Sequence, residues 1–207
     1  MSNEQNTTGW GVTKNSGVEI IDADPVFAGD VLTWKAKKKL FLTHPKKFLL
    51  FRAIQKDIRK KHVGDLRDPY SVLDVGSGSG ADIIDMKKLF GRHVFVTGTD
   101  TSTMQNDVAT QKIKHHGVYA DIALNDGQCL PYDDMRFDAV YSSNALTRAH
   151  KKIAWLAELY RVLKPDGLFA LSTVLQKSTV EELLNHTPFD IERHWKIQGS
   201  LVVARKQ

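Results

Sequence analysis

Segments of strand length alternate with segments of helical period through most of the chain, and this alternation restricts the fold more than any other feature. The predicted strands are Ser71 to Val75, Val94 to Thr99, Val118 to Ile122, Phe137 to Ser142 and Leu168 to Val174. The predicted helices between them are Ala81 to Phe90, Thr103 to His116 and Lys151 to Leu163. Because a helix between two strands implies a crossover, the pattern predicts an α/β fold whose sheet is mostly parallel.

The last segment departs from this alternation. The runs "FDIERHWKI" and "LVVARK" both have strand character, and only "QGS" separates them. Two strands joined by so short a turn are antiparallel. We therefore expect a parallel sheet that ends in a C-terminal antiparallel hairpin.

A glycine-rich stretch, "VLDVGSGSGADI", follows the first predicted strand. In a parallel sheet, ligands bind beyond the carboxyl ends of the strands, and glycines there allow a ligand to approach the backbone closely. Gly76, Gly78 and Ala81 also satisfy the dinucleotide pattern G-x-G-x-x-G/A, with Asp100 at 24 residues beyond Gly76. A nicotinamide-dependent oxidoreductase is therefore one alternative at this stage.

Five motifs in chain order resemble those of the class I S-adenosylmethionine-dependent methyltransferases. They are "VLDVGSGSG", "VTGTDTS", "NDGQCLPY", "FDAVYSSNAL" and "LAELYRVLKPDGLFALS", and the resemblance runs from about Tyr70 to Gln207. It implies a Rossmann-like, seven-stranded sheet with helices on both faces and S-adenosyl-L-methionine as the cofactor. Any one of these motifs is common, but all five in this order are typical of that family.

The resemblance also implies roles for individual residues. Asp74 occupies the acidic position of the first motif, and Asp100 would accept hydrogen bonds from both ribose hydroxyls. Asp126 would accept from the adenine amino group, while Gly127 contacts the ring. The full implied cofactor set is Asp74, Gly76, Ser77, Gly78, Gly80, Asp100, Thr101, Asp126, Gly127 and Ser143.

The segment after the fourth strand contains the candidates for substrate contact. It reads "LTRAHKK" where many relatives have a Glu-His-Val run, so Arg148 stands at the histidine position and His150 follows two residues later. Asn144 is a candidate for orienting an acceptor, and His150 is a candidate base, since imidazole accepts protons near neutral pH. An exposed histidine at a helix start is the competing interpretation.

Positive charge is concentrated upstream of the predicted sheet. Lys35 to His62 holds eleven Lys or Arg residues and one acid, Asp57, whereas residues 69–207 hold 16 basic and 16 acidic residues. Pro45 is well placed to begin a helix that extends to about Val63, with Gly64 as its stop. The basic residues either form its solvated face or bind a polyanion.

We expect three regions: a flexible tail over residues 1–17, a basic helical lid over 18–68, and a cofactor-binding core over 69–207. No insertion between the fifth predicted strand and the terminal hairpin is large enough for a substrate domain. We therefore expect the first 68 residues to form the lid. Its predicted apolar cover comes from Trp34, Phe41, Phe48 and Phe51.

Composition excludes several classes of protein. No window approaches the ~18 continuous apolar residues of a membrane span, and "MSNEQNTTGW" lacks the features of a secretory signal. The single cysteine, Cys129, excludes an internal disulfide and any multi-thiolate zinc site. The eight histidines show no metal-ligand spacing. We expect a cytoplasmic protein without a metal.

The sequence thus predicts a methyltransferase that acts on a small molecule by in-line displacement. Two alternatives share its cofactor site. One methylates RNA or another polyanion through the basic segment Lys35 to His62, and the other is a catalytically silent, cofactor-binding partner subunit. The acceptor itself cannot be read from the sequence, since one fold supports many reactions.

Overall fold

A computed structural model describes residues 44–61 and 68–207 of the chain. Within these ranges, the helices are α1 (Pro45–Lys61), α2 (Ala81–Phe90), α3 (Thr103–His115), α4 (Lys152–Val162) and α5 (Lys177–Leu184). The strands are β1 (Tyr70–Val75), β2 (Val94–Asp100), β3 (Asp121–Leu124), β4 (Phe137–Ser143), β5 (Leu163–Thr173), β6 (Phe189–Lys196) and β7 (Ser200–Lys206). A short 3-10 helix, Gly91–His93, joins α2 to β2.

The seven strands form one sheet in the order β3-β2-β1-β4-β5-β7-β6. The first five strands are parallel, and β7 is antiparallel to both β5 and β6. This confirms the predicted Rossmann-like sheet and its C-terminal hairpin. The strand order reverses between β1 and β4, and such a reversal places a crevice at the carboxyl edge of the sheet.

Both faces of the sheet are covered by helices, as a parallel sheet requires. Alternate residues of β1 serve opposite faces, with Val72 in one hydrophobic cluster and Leu73 in the other. Helices α1, α2 and α3 pack on the first face, and α4 and α5 pack on the second. The central strands are therefore buried on both sides, which explains their nearly continuous apolar sequences.

Helix α1 belongs to the core of the domain. Its stripe of Leu50, Phe51, Ile54 and Ile58 is buried, as its spacing predicts. At its far end, buried Asp57 accepts a hydrogen bond from Tyr70 and pairs with Arg205 of β7 at 2.6 Å. The predicted end near Val63, the stop at Gly64, and the lid residues Trp34 and Phe41 lie outside the described residues.

The third strand was predicted too early in the chain. Val118 donates its backbone NH to Ile113, and Gly117, at φ +62°, donates to Lys114. These two bonds form a Schellman motif that closes α3. Because Val118 is committed to this cap, pairing with β2 begins only at Asp121.

Two other elements differ from the sequence-based expectation. Strand β5 begins at Leu163 rather than Leu168, because Leu163 pairs with Phe137 across an irregularity in the β4–β5 ladder. Helix α5 was not predicted. It has eight residues, of which only Val180 and Leu184 are buried, so its apolar period is too short to recognise.

Candidate functional site

The glycine loop leaves the carboxyl end of β1 and is attached to the neighbouring strand β2. The backbone NH groups of Gly76 and Ser77 both donate to the carbonyl of Thr99, at 2.7 and 2.9 Å. Gly76, Gly78 and Gly80 have φ values of +79°, +52° and +74°. Only glycine adopts this region readily, so the loop turns sharply into α2.

The three glycines face different surroundings. A Cβ on Gly76 would lie 2.4 Å from Cβ of Ala145, and one on Gly80 would lie 3.1 Å from Cβ of Ala109. No atom of another described residue, apart from the two chain neighbours, lies within 4 Å of the corresponding point at Gly78. Gly76 and Gly80 thus serve packing within the protein, whereas Gly78 borders open space that a ligand can occupy.

Asp100, the last residue of β2, binds the glycine loop through its carboxylate. One oxygen accepts from the NH of Gly78 at 2.9 Å, and the other accepts from the NH of Ser102 at 2.9 Å. A carboxylate has about four lone-pair positions, so two acceptor positions remain for hydroxyl groups of a ligand. Thr101 is exposed between β2 and α3, beside this carboxylate in sequence.

The segment after β3 completes the same corner of the sheet. Asn125 donates its NH to the carbonyl of Asp100 at 3.1 Å, and its side chain accepts from the NH of Gly127 at 2.7 Å. A Cβ on Gly127 would lie 2.3 Å from Nε1 of Trp155 and 3.0 Å from Val75. The backbone of Gly127 is thereby held against the end of β1.

Asp126 is exposed on this segment, and its carboxylate accepts from both the NH and the side-chain amide of Gln128 at 2.8 Å. Gly78, Asp100 and Asp126 are therefore carried by three segments that are bonded to one another. The NH of Gly127 already has a partner in Asn125, so the contact that this glycine offers a planar ring is through its carbonyl or its bare Cα.

The end of β4 adjoins the glycine loop from the other side. Ser142 donates its hydroxyl to the carbonyl of Val75 at 2.8 Å, and Ala145 packs on Gly76. Ser143 is half-buried here. Asn144, with φ +64°, is exposed directly after it. A non-glycine residue in this region of φ is uncommon and is enriched at functional sites.

Arg148 and His150 lie in the loop between β4 and α4. Both are exposed, and His150 precedes α4 by two residues. Neither side chain makes a hydrogen bond or ion pair within the described parts of the chain. The structure thus leaves both available to a ligand and gives no internal role to either.

Buried Asp74 interacts with a partly exposed acid of α2 in a cluster that the sequence did not indicate. Asp74 is 1% exposed, and its Oδ2 has no hydrogen-bond partner among the described residues. Asp82 of α2 accepts from the hydroxyl of Tyr141 at 2.6 Å and pairs with Lys47 of α1 at 2.6 Å. Lys47 also contacts Asp85 at 2.5 Å.

The pKa values of this cluster follow from burial and from the neighbouring charges. Burial and the adjacent Asp82 raise the pKa of Asp74 well above its usual range. Burial and Asp82 likewise raise the pKa of Tyr141. Burial alone would lower the pKa of Lys47, but Asp82 and Asp85 outweigh it and raise it. The cluster is therefore a region of negative potential that favours a positively charged ligand above it.

The arrangement suits a ligand with an amino-acid end, a diol and a planar base. The free space at Gly78 admits its chain, the acidic cluster at Asp74 and Asp82 favours its ammonium group, and Asp100 retains acceptor positions for the diol. No group of three or more His, Cys, Asp or Glu side chains among residues 44–61 and 68–207 is arranged to hold a metal ion. No helix in the described ranges has the length and apolar character to cross a membrane.

Comparison with known proteins finds similar sequences and structures for this part of the chain. Residues 72–167 match the model of a family described as a methyltransferase domain. Sterol 24-C-methyltransferase ERG6A of Gibberella zeae is 31% identical over 112 residues, which are 53% of this chain and 29% of that protein. The ubiquinone/menaquinone biosynthesis C-methyltransferase UbiE of Cupriavidus taiwanensis is 32% identical over 106 residues, 49% of this chain and 42% of that protein.

The chain thus spans less than half the length of these two relatives. Among solved structures, a SAM dependent methyltransferase from Aquifex aeolicus superposes with a TM-score of 0.64. Its sequence identity is 19%, and the match covers 84% of this chain and 98% of that one. At this identity the likeness demonstrates the fold and nothing finer.

Proposed function

We propose that this chain, whose residues 72–167 match the model of a methyltransferase domain, is a class I S-adenosylmethionine-dependent methyltransferase that transfers a methyl group from S-adenosyl-L-methionine to a small-molecule acceptor. The sterol and quinone methyltransferases that it resembles carry names of small, apolar acceptors. For this chain we propose a small-molecule acceptor and do not name an individual compound.

A chain of hydrogen bonds at the carboxyl edge of the sheet supports this proposal most strongly. Gly78 is bonded to Asp100, and Asp100 is bonded through its carbonyl to Asn125, which holds Gly127. In this proposal the glycine loop and Asp74 hold the amino-acid end of the donor, and Asp100 holds the ribose. Asp126 and Gly127 receive the adenine, with Thr101 beside it.

When bound, the donor supplies an electrophilic methyl group on a sulfonium, which is already a good leaving group. The protein then has to align the acceptor atom with the methyl carbon and exclude water, and orientation of this kind lowers the barrier by several kcal/mol. Ser143 and Asn144 adjoin the glycine loop and are the residues proposed to orient the acceptor. His150 is the proposed base where the acceptor must lose a proton.

The cover over the site is also part of the proposal. Helix α1 begins at the carboxyl edge, where Lys46 donates to the carbonyl of Gln198 at 2.5 Å and Lys47 pairs with Asp82. The described part of the chain therefore begins at the carboxyl edge, and residues 1–43 precede it in the sequence. We assign the role of lid to this N-terminal part of the chain, and α1 itself to the core.

Two measurements test the proposal on the full chain. Calorimetry with S-adenosylmethionine, S-adenosylhomocysteine and nicotinamide dinucleotide should show binding of the first two only. Transfer of a labelled methyl group is then assayed against pools of sterols, quinone precursors and RNA. Labelling of a small molecule supports the proposal, and labelling of RNA alone contradicts it. Donor binding without any transfer unless a second protein is added indicates the silent partner subunit instead. Cytoplasmic location is a further expectation, checked by fractionation of cells that express the chain.

A further inference from the structure

The outward side of α1 carries positive charge only. After His44 and Pro45, its exposed residues are Arg52, Lys56, Arg59 and Lys60. These positions follow the spacing i, i+4, i+7 and i+8, which places them on one side of the helix over about 12 Å. A side that only keeps a helix solvated usually mixes both signs. Here the single acid of α1, Asp57, is buried.

Two of these four cations have no counterion among the residues that the structure describes. Asp57 is committed to Tyr70 and Arg205 on the opposite side of the helix. Lys60 reaches exposed Asp166 at 3.5 Å, and both side chains are more than half exposed, so solvent screens this pair. Arg52 and Lys56 make no hydrogen bond or ion pair with any residue that the structure describes.

Partly exposed apolar side chains lie on the same face of the sheet as these cations. Leu49 and Ala53 of α1, with Trp195 at the end of β6, pack against the core cluster under α1 without being fully buried. The guanidinium of Arg193 lies 5.9 Å from the centre of the Trp195 ring. Cations beside partly buried Trp and Leu side chains suit binding to a surface whose charged outer layer covers an apolar interior.

We propose that the outward side of α1, together with Arg193 and Trp195, docks the protein on an anionic lipid bilayer from which the methyl acceptor is drawn. The proposal rests on the proposed function and narrows its acceptor to a small molecule that dissolves in lipid. It uses the position of α1, whose first turn contacts the donor site through Lys47 and Asp82. The outward cations of α1 lie from its middle to its far end, and Trp195, which pairs with Leu201 near the carboxyl end of the sheet, extends the surface toward the donor site.

The test is co-sedimentation of the full chain with vesicles of equimolar phosphatidylserine and phosphatidylcholine, and with vesicles of phosphatidylcholine alone. We expect binding to the first kind only, and weaker binding as salt is raised. Each cation near such a surface contributes about fivefold to the partition constant. The double variant Arg52→Gln/Lys56→Gln should therefore bind roughly 25-fold more weakly.

A matched control removes the same charge elsewhere. Lys112 and Lys114 are exposed on α3. Lys112→Gln/Lys114→Gln should change vesicle binding less than about twofold, since these residues belong to another helix and are not part of the proposed contact. Equal losses in both double variants would mean that only net charge matters and would overturn the proposal.

Two further outcomes would also overturn it. One is equal binding to both kinds of vesicle. The other is binding to polyuridylate that is tighter than binding to the anionic vesicles and is lost in Arg52→Gln/Lys56→Gln, which makes α1 a nucleic-acid surface. Donor affinity, measured by calorimetry, should be unchanged in that variant. If the unaltered chain does not bind S-adenosylmethionine, the proposed function is contradicted. Vesicle binding is measured independently and still supports or contradicts the docking surface.

Discussion

The carboxylate of Asp100 accepts a hydrogen bond from the backbone NH of Gly78 at 2.9 Å. This bond ties the end of β2 to the loop that follows β1, at the point where the strand order reverses. Asp100 therefore has two functions in the proposed site. It fixes the shape of the glycine loop, and it keeps acceptor positions for the ribose.

Asp100→Ala should raise the dissociation constant for S-adenosylmethionine at least tenfold, because the loop anchor and the charged acceptor are lost together. Calorimetry measures this directly. Asp107→Ala, which removes an exposed carboxylate from α3, serves as the control and should leave affinity unchanged. An unaltered affinity in Asp100→Ala would place the ribose elsewhere.

Gly76→Ala should mainly lower the stability of the protein, whereas Gly78→Ala should mainly weaken donor binding. The first brings two Cβ atoms to 2.4 Å at φ +79° and should cost about 3 kcal/mol of unfolding free energy. The second meets open space and should cost only about 1 kcal/mol, for its φ, while weakening donor binding about tenfold or more. Thermal unfolding and calorimetry on both variants distinguish the two cases.

Ala145→Gly provides a rescue for the first of these variants. In Gly76→Ala/Ala145→Gly the close contact is removed, although the backbone strain at residue 76 remains. We expect about half of the lost stability to return. No recovery would mean that the φ strain, and not contact with Ala145, makes glycine necessary at this position.

Asp74→Asn should stabilise the donor-free protein, and more so at high pH. The pKa of Asp74 is raised in the folded state, so the folded protein retains this proton while the unfolded chain loses it above its usual value of 3.8. Parent stability therefore falls as pH rises through this window, whereas the variant has no such proton to lose. The gain in Tm should be larger near about pH 8 than near about pH 4. A gain that grows toward acid would contradict the assignment.

Lys47→Met should loosen α1 from α2. It removes the partner of Asp82 and Asp85 and should lower the free energy of unfolding by about 1–2 kcal/mol, between the values for surface and buried pairs. Lys46→Met is the control, because Lys46 makes only an exposed bond to the carbonyl of Gln198. We expect that variant to stay within about 0.5 kcal/mol of the parent. Denaturant unfolding of both variants measures the difference.

Local sequence signals predicted the fold well where an element is long or is buried on both faces. Helix α2 has the predicted bounds, and β1, β2 and β4 differ from prediction by one residue at one end. The start of β3, an edge strand, was predicted three residues too early. The cap of α3 uses the residues that resemble a strand start. The prediction also missed α5, whose two buried residues give no clear period.

The candidate site likewise contains residues that the sequence predicted and residues that it did not predict. Asp100, Gly78 and Asp126 are recognisable because each stands in a motif, and each lies on one of three segments that hydrogen bonds join. No local pattern links Tyr141 to Asp82, which are 59 residues apart, or either of them to Lys47. Their cluster exists only because α1 and α2 pack side by side on one face of the sheet.

The sequence alone determined the alternation of strands and helices, the glycine turn and the acids at the strand ends, because these depend on local period and backbone freedom. Only the tertiary structure decided which glycine faces open space, which buried carboxylate oxygen has no hydrogen-bond partner among the described residues, and which side of α1 is cationic and exposed. Burial and charge pairing are set by residues far apart in the chain. They are therefore defined only once the sheet and its helices have packed together.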